Sequence, residues 1–379
     1  MPLVLTDEQA MLRDSVRSFL RENASVEHLR RLRDSNDSHG FSTDVWRSFV
    51  ELGFAGILLP ESYGGLGLGF VEAGVVMEEI GRNLSPTPFL STAVLATTAL
   101  VRGGSEAHKA QYLPGIARGT VIAALAVDET AKHGAQRINL RADRSGDSFR
   151  LNGTKTFVVD GHVADLLVVA ARTSGAATDI GGLTLFLVDP ATSAVKTERT
   201  LMVDSRNAAR LIFENVVVSA DAVLGEVDGG FGPLEAVLNV GRAVVSSELV
   251  GLSEEAFVRT VSYLGQRKQF GRLIGEFQAL QHRAAHLYSE LEITRAAVLK
   301  ALQMLDTAFD AATPIVAVAK ARAGATAALA VQESVQMHGG IGMTDEFDIG
   351  LFMKRARVGQ ELFGDANFHT DRLARLSGY

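Results

Sequence analysis

Tyr263-Leu-Gly-Gln-Arg267-Lys-Gln-Phe270-Gly271-Arg-Leu-Ile-Gly275-Glu-Phe-Gln278 is the stretch around which the rest of the chain falls into place. It reads as a helix that carries adjacent cations and is stopped by glycine, with a second helix opening near Glu276. Cations at one helix end beside the free N–H groups of the next helix suit a phosphate. Two cations at a helix end also describe an ordinary solvated cap, so the stretch needs support from its surroundings.

Composition narrows those surroundings. A chain of 379 residues, 47% hydrophobic and 21% charged, can bury a sizeable core in two or three domains or layers. A net charge of −7 argues against a broad nucleic-acid surface, which needs clustered cationic area. Cysteine is absent, which removes disulfides, thiolate metal sites and a cysteine nucleophile, and fits a reducing cytoplasm. The amino terminus, MPLVLTDEQA, lacks a basic region followed by an apolar one, and the apolar runs read as too short to cross a membrane. The expectation is a cytoplasmic enzyme without membrane insertion.

Outward from Tyr263, three blocks separate. Residues 1–118 read mostly as helix: Thr6 caps an acidic first turn (Asp7, Glu8), and Leu12, Val16, Phe19 and Leu20 share a face. A Gly/Pro-rich turn occupies Leu59–Gly67. Residues 119–226 switch to short β-branched runs, at Ala123–Val127, Phe149–Leu151, Thr156–Val159, Leu166–Ala171, Leu183–Val188 and Leu211–Val218. Turn chemistry at Asn152-Gly153, Asp160-Gly161, Gly181-Gly182 and Asp189-Pro190 separates them. Residues 227–379 return to long helical patterns. Helices, then an antiparallel β block, then helices define an α+β chain and not alternating βαβ units.

Several chemistries drop out. The glycines at 64–69 miss the G-x-G-x-x-G spacing and do not open a helix after a strand. His282 and His286 lie four apart, but Arg283 stands where a zinc peptidase needs glutamate, so no metal is expected. No G-x-S-x-G elbow occurs.

The motif YxxxRxQFGxxIGxFQ resembles the flavin-pyrophosphate segment of acyl-CoA dehydrogenases. Four further pieces in the same order strengthen the likeness: LTDEQAMLRDSVRSFL, PESYGGLGLG, LNGTKTF, and Gln336-Met-His338-Gly339-Gly340-Ile-Gly342-Met-Thr344. The resemblance covers essentially the whole chain. It implies a helical N-terminal domain, an antiparallel β-barrel-like middle domain and a C-terminal four-helix bundle. It further implies FAD, an acyl-CoA substrate in lipid metabolism or β-oxidation, an electron-transfer flavoprotein or similar acceptor, and a dimer or dimer of dimers. Carried over by motif, Arg267, Gln269, Phe270, Gln336 and Gly340 are expected to meet the FAD of a neighbouring subunit. Phe157 takes the place of a tryptophan that usually flanks the flavin, and Asp128 begins the turn Asp128-Glu129-Thr130, where threonine-glutamate-proline is usual. Val159 replaces a hydroxyl residue.

The departures are sharpest at the base. In the family, a carboxylate takes the α-proton of the thioester while FAD accepts the β-hydrogen. One family position for that carboxylate aligns with Phe363, and phenylalanine accepts no proton. The second precedes an arginine on the helix before the YxxxR segment, and reads Gly241-Arg242 here. Glu248, seven residues beyond Gly241 on the same helix face, is the substitute candidate, with Arg242 in support. An apolar setting (Ala243, Val244, Leu249, Val250) disfavours the charged form and suits a base. Glu361 and Asp365 flank the lost position as alternatives. Three roles are open: a dehydrogenase with a non-standard or partner-supplied base, the non-catalytic subunit of a heteromeric dehydrogenase, and a flavin-dependent monooxygenase on the same fold.

Overall fold

The computed structural model describes residues 2–379. Helices α1 (Asp7–Asn23), α2 (Val26–Asp34), α3 (Thr43–Glu51), α4 (Phe70–Asn83), α5 (Thr97–Gly103) and α6 (Glu106–Ala117) come first. Strands β1 (Ala123–Ala126), β2 (Arg141–Ser145), β3 (Ser148–Val159), β4 (Leu166–Arg172), β5 (Leu183–Val188), β6 (Lys196–Leu201), β7 (Asn207–Ser219) and β8 (Val223–Leu224) follow. Helix α7 (Phe231–Leu264), the short strands β9 (Lys268–Gln269) and β10 (Arg272–Leu273), and α8 (Gln278–Thr307), α9 (Thr313–His338), α10 (Ile349–Glu361) and α11 (Ala366–Leu376) complete the chain. The helical N-terminal, sheet-containing middle and helical C-terminal parts are those expected.

Contacts gather the chain into two units, one of Leu32–Gly69 with Pro86–Gly241, the other of the remaining residues. In the first, the sheet runs β6-β7-β3-β2-β4-β5-β8, with β1 also on β4. Most pairs are antiparallel, but β1 and β2 both meet β4 in parallel. Among the described strands no pairing joins β6 to β8, so the sheet is open and not a closed barrel. Strands β4 and β5 are buried along their whole length, which explains their unbroken apolar runs. Phe149 and Phe186 meet edge-on at 5.1 Å in their core.

Two sequence expectations change in this sheet. Asn152-Gly153 is not a turn: β3 runs straight through it, and register shifts against β7 at Leu151/Gly153 and Lys155/Val158 absorb the irregularity. Gly153 is required because a Cβ there would come 2.8 Å from the Leu140 Cα. Strands β2 (RADRS) and β6 (KTERTL) escaped the hydrophobic pattern because they are mostly solvent-facing, and β6 closes one end of the sheet.

The second unit is helical. Thr6 and Gln9 form a reciprocal capping box on α1, whose Val16 and Leu20 are fully buried. Helices α4 and α7 cross at contact distance. A Cβ on Gly81 would come 2.1 Å from the Glu248 carbonyl oxygen, and one on Gly251 1.9 Å from that of Glu78. Thr313–Met343, which contains α9, is long and apolar enough by composition to cross a membrane, contrary to the sequence reading of its apolar runs. Just over half of its apolar window, 56%, is buried, and α9 packs against α8, α10 and α11, so its apolarity is that of a bundle's core helix.

Candidate functional site

In the sheet unit the expected flavin-facing residues converge where β1 ends and β3 bulges. Phe157 lies within the second register shift, adopts φ 51° and is 49% exposed. An aromatic held in left-handed backbone and turned to solvent is a costly arrangement that suits a flat ligand. The Thr156 N–H donates to the Asp128 carbonyl at 2.7 Å, which brings the β1 turn alongside it. Asp128 itself is engaged: His133 Nδ1 lies 2.9 Å from its carboxylate and the Gly134 N–H donates to it at 3.1 Å. Burial opposes that charge, yet His133, Gly134 and Lys155 together hold the carboxyl below its usual range.

Sequence reading missed the pair beneath this turn. Lys155 Nζ, fully buried, donates to Glu129 Oε1 at 2.8 Å and to the Val127 carbonyl at 2.9 Å. Burial holds Lys155 below its ordinary value although Glu129 pulls the other way. Glu129 in turn accepts from the N–H groups of Asn139 and Leu140, tying the turn to the approach of β2. The signal was available in the two-residue alternation of β3, where Lys155 falls in phase with Phe149 and Leu151. The adjoining segment Phe89–Ala96 is a π-helix, fully buried, and its Thr92 hydroxyl bridges the N–H and carbonyl of Ala123 on β1. Ser91 donates to Asp160, just beyond β3, at 2.6 Å.

In the helical unit the cation-bearing stretch differs from its sequence reading. Helix α7 stops at Leu264, and Arg267 to Phe270 lie beyond it on the β9–β10 hairpin. Phe270 (φ 53°) and Gly271 (φ 80°) occupy the two central positions, the backbone of a type I′ turn, which helical periodicity cannot reveal. Arg267 and Gln269 are exposed, and Phe270 is 92% exposed. Gly340 is exposed beyond the end of α9, where a Cβ on it would meet open space, and Gln336 sits in that helix's last turn. The exposed cations and the bare backbone N–H groups of the glycine turn are donors suited to a dinucleotide phosphate.

Around the expected base, long-range packing overrides the local pattern. Glu248 is 1% exposed, as its apolar neighbours suggest, but Arg355 on α10 takes both oxygens, Nε at 2.8 Å and Nη2 at 2.6 Å. This bidentate buried ion pair joins α7 to α10 and favours the charged, paired form of Glu248, an arrangement that works against the base role expected from its apolar helix face. Arg242 Nε donates to the Phe363 carbonyl at 3.2 Å, and His369 Nε2 meets the same oxygen at 3.1 Å. Lys320 donates to the carbonyls of Gly359, Gln360 and Gly364, each at 3.0 Å. Burial and Arg242 push Lys320 down to about 7. Three cationic or imidazole side chains thus pin the backbone of the segment that carries Phe363. Of the flanking acids, Asp365 caps α11 through the Phe368 N–H at 2.8 Å, and Glu361 pairs with Arg357 at 3.0 Å. Lys320 had a signal in the sequence, a lysine directly after the apolar run Ile315–Ala319; Arg355 had none.

Comparison with known proteins agrees with this geometry. Family models for the N-terminal, middle and C-terminal domains of acyl-CoA dehydrogenases match residues 6–120, 124–216 and 228–377. Mitochondrial isovaleryl-CoA dehydrogenase of Pongo abelii is 32% identical over 361 residues, 93% of this chain and 85% of its own length. Among solved structures, the ChsE4-ChsE5 complex from Mycobacterium tuberculosis superposes with a TM-score of 0.91 at 26% identity over 100% of both chains. A variant of the Tcur3481-Tcur3483 steroid ACAD does so at 0.88 and 28%, over 98% of both. The chain therefore belongs to the acyl-CoA dehydrogenase family, FAD-dependent oxidoreductases that act on acyl-CoA thioesters.

Proposed function

We propose that this chain desaturates an acyl-CoA between its α and β carbons as part of a heteromeric assembly in which a different chain supplies the catalytic base. The observation that carries this reading is the pair of absent carboxylates. Phe363 and Gly241 stand at the two family positions, and Glu248 is committed to Arg355. Two of the similar structures are described by paired chain names, one of them as a steroid ACAD, which supports a two-chain assembly and a bulky thioester.

The residues present fit FAD. Phe157 and the backbone of the Asp128 turn would hold its ring on one chain, and Arg267, Gln269, Phe270, Gln336 and Gly340 its phosphates from a neighbour. When bound, FAD supplies the acceptor for the β-hydrogen. An electron-transfer flavoprotein or similar carrier completes the cycle, and the absence of cysteine suits a cytoplasmic setting.

The deciding experiment follows α-proton exchange in deuterated water under anaerobic conditions, with the chain alone and with a co-purified second chain. Alone, no exchange into the acyl-CoA is expected. Gly241→Glu, which restores a carboxylate at a family position, is expected to introduce it. Exchange by the unaltered chain alone would rule out a partner-supplied base.

A further inference from the structure

A cavity of about 620 Å³ opens within the helical unit, between α1, α4, α7 and α8, and none of the residues discussed above as flavin- or base-related lines it. That volume lies within the range of ~300–1,000 Å³ usual for small-molecule sites. Its floor is apolar and buried, with Val71, Val75, Val250, Val298 and Leu302. Gly74 lets α4 pack closely against its wall, since a Cβ there would come 2.3 Å from Leu302 Cδ1 and 3.0 Å from Ser247 Oγ.

One floor group is unexplained by folding alone. Ser247, 2% exposed, lines the cavity, and its hydroxyl has no hydrogen-bond partner. The other buried serine and threonine hydroxyls of α7 donate to the preceding turn: Ser246 to the Arg242 carbonyl at 2.7 Å, Ser253 to that of Leu249 at 2.5 Å, and Thr260 to that of Ala256 at 2.7 Å. A buried unpaired hydroxyl is expensive unless a ligand completes it.

The rim is charged. Arg17 is tied to fully buried Glu79, and Arg82 and Arg295 share Glu254 and Glu78. Half-exposed Glu292 lies 3.9 Å from Arg295. Arg13 differs, because its ion-pair partner is the adjacent, 64% exposed Asp14, a surface pair that an incoming anion can displace.

We propose that this cavity binds an elongated apolar carboxylate that bears a hydroxyl or carbonyl at its far end, the carboxylate at Arg13 and the distal oxygen at Ser247. The site is independent of the flavin chemistry and of the base proposed above.

Titration calorimetry of the purified full-length protein with 12-hydroxydodecanoate and with dodecanoate tests this. The hydroxy acid is expected to bind at least tenfold more tightly. Ser247→Val should erase that preference while leaving dodecanoate binding unchanged, and Arg13→Ala should weaken both acids about equally. Leu299→Trp, which fills the cavity from a half-buried wall position, should abolish both. Should that variant fail to fold, photolabelling of the unaltered protein with a diazirine analogue of the hydroxy acid locates the site; labels on peptides containing 71–75 or 298–302 support it. Labelling elsewhere, absence of saturable binding, or a preference that survives Ser247→Val would each overturn the proposal.

Discussion

Glu248 shows how one side chain changes meaning between sequence and structure. Locally it is a carboxylate on an apolar helix face. In the fold, Arg355, 107 positions along the chain, claims both of its oxygens. Glu248→Gln is therefore expected to lower stability by ~3–5 kcal/mol by stranding a buried guanidinium. Combining it with Arg355→Met should recover much of that loss, and thermal denaturation of the single and double variants measures both. His369 makes a second residue-scale case. Nε2 is committed to the Phe363 carbonyl, Nδ1 is buried without a partner, and burial with the nearby Arg242 and Lys320 pushes the ring down to about 2. The native ring therefore stays neutral at mild acid pH, whereas the unfolded chain takes up a proton below about 6.5. Its contribution is fully present above that pH and is lost as pH falls, by about 1.4 kcal/mol per pH unit. Calorimetric melts at pH 7 and pH 5.5 should show His369→Gln losing less stability on acidification than the parent; an equal loss would remove His369 from this role.

Elements divide by how their information is stored. A helix start such as Thr6, whose side chain accepts from the Gln9 N–H, is written within four residues and was readable. The runs at β4 and β5 were readable too, because burial on both faces demands continuous apolar sequence. The β9–β10 hairpin was not, since Phe270 is a non-glycine residue in a left-handed turn position. The crossing of α4 and α7 was equally hidden: Gly251 looks like a weak helix residue until Glu78 is seen against it. Gly251→Ala gains helix propensity of up to ~1 kcal/mol, but its Cβ would meet a backbone oxygen at 1.9 Å, so the clash decides the sign. A net loss of ~1–3 kcal/mol is expected, read from urea unfolding midpoints.

At the scale of the molecule, the exposed hairpin is the feature a single chain leaves unfinished. An aromatic 92% exposed beside Arg267 and Lys268 costs solvation without return unless another surface covers it. Phe270→Ser is expected to shift the assembly toward smaller species in light scattering and to reduce retained flavin absorbance, with little change in the helical signal by circular dichroism. Unaltered mass and flavin content would place the hairpin outside the assembly contacts. The order of the three blocks, the family and the absence of both family carboxylates were determined by the sequence by itself. These rest on local periodicity, on caps and turns within a few residues, and on residue identity at motif positions. Only the tertiary structure decided that the sheet is open, that Glu248 belongs to Arg355, that Lys320 and His369 pin the Phe363 segment, and that Ser247 faces a cavity. Each depends on groups brought together across long stretches of chain, and no periodicity within one segment encodes such a meeting.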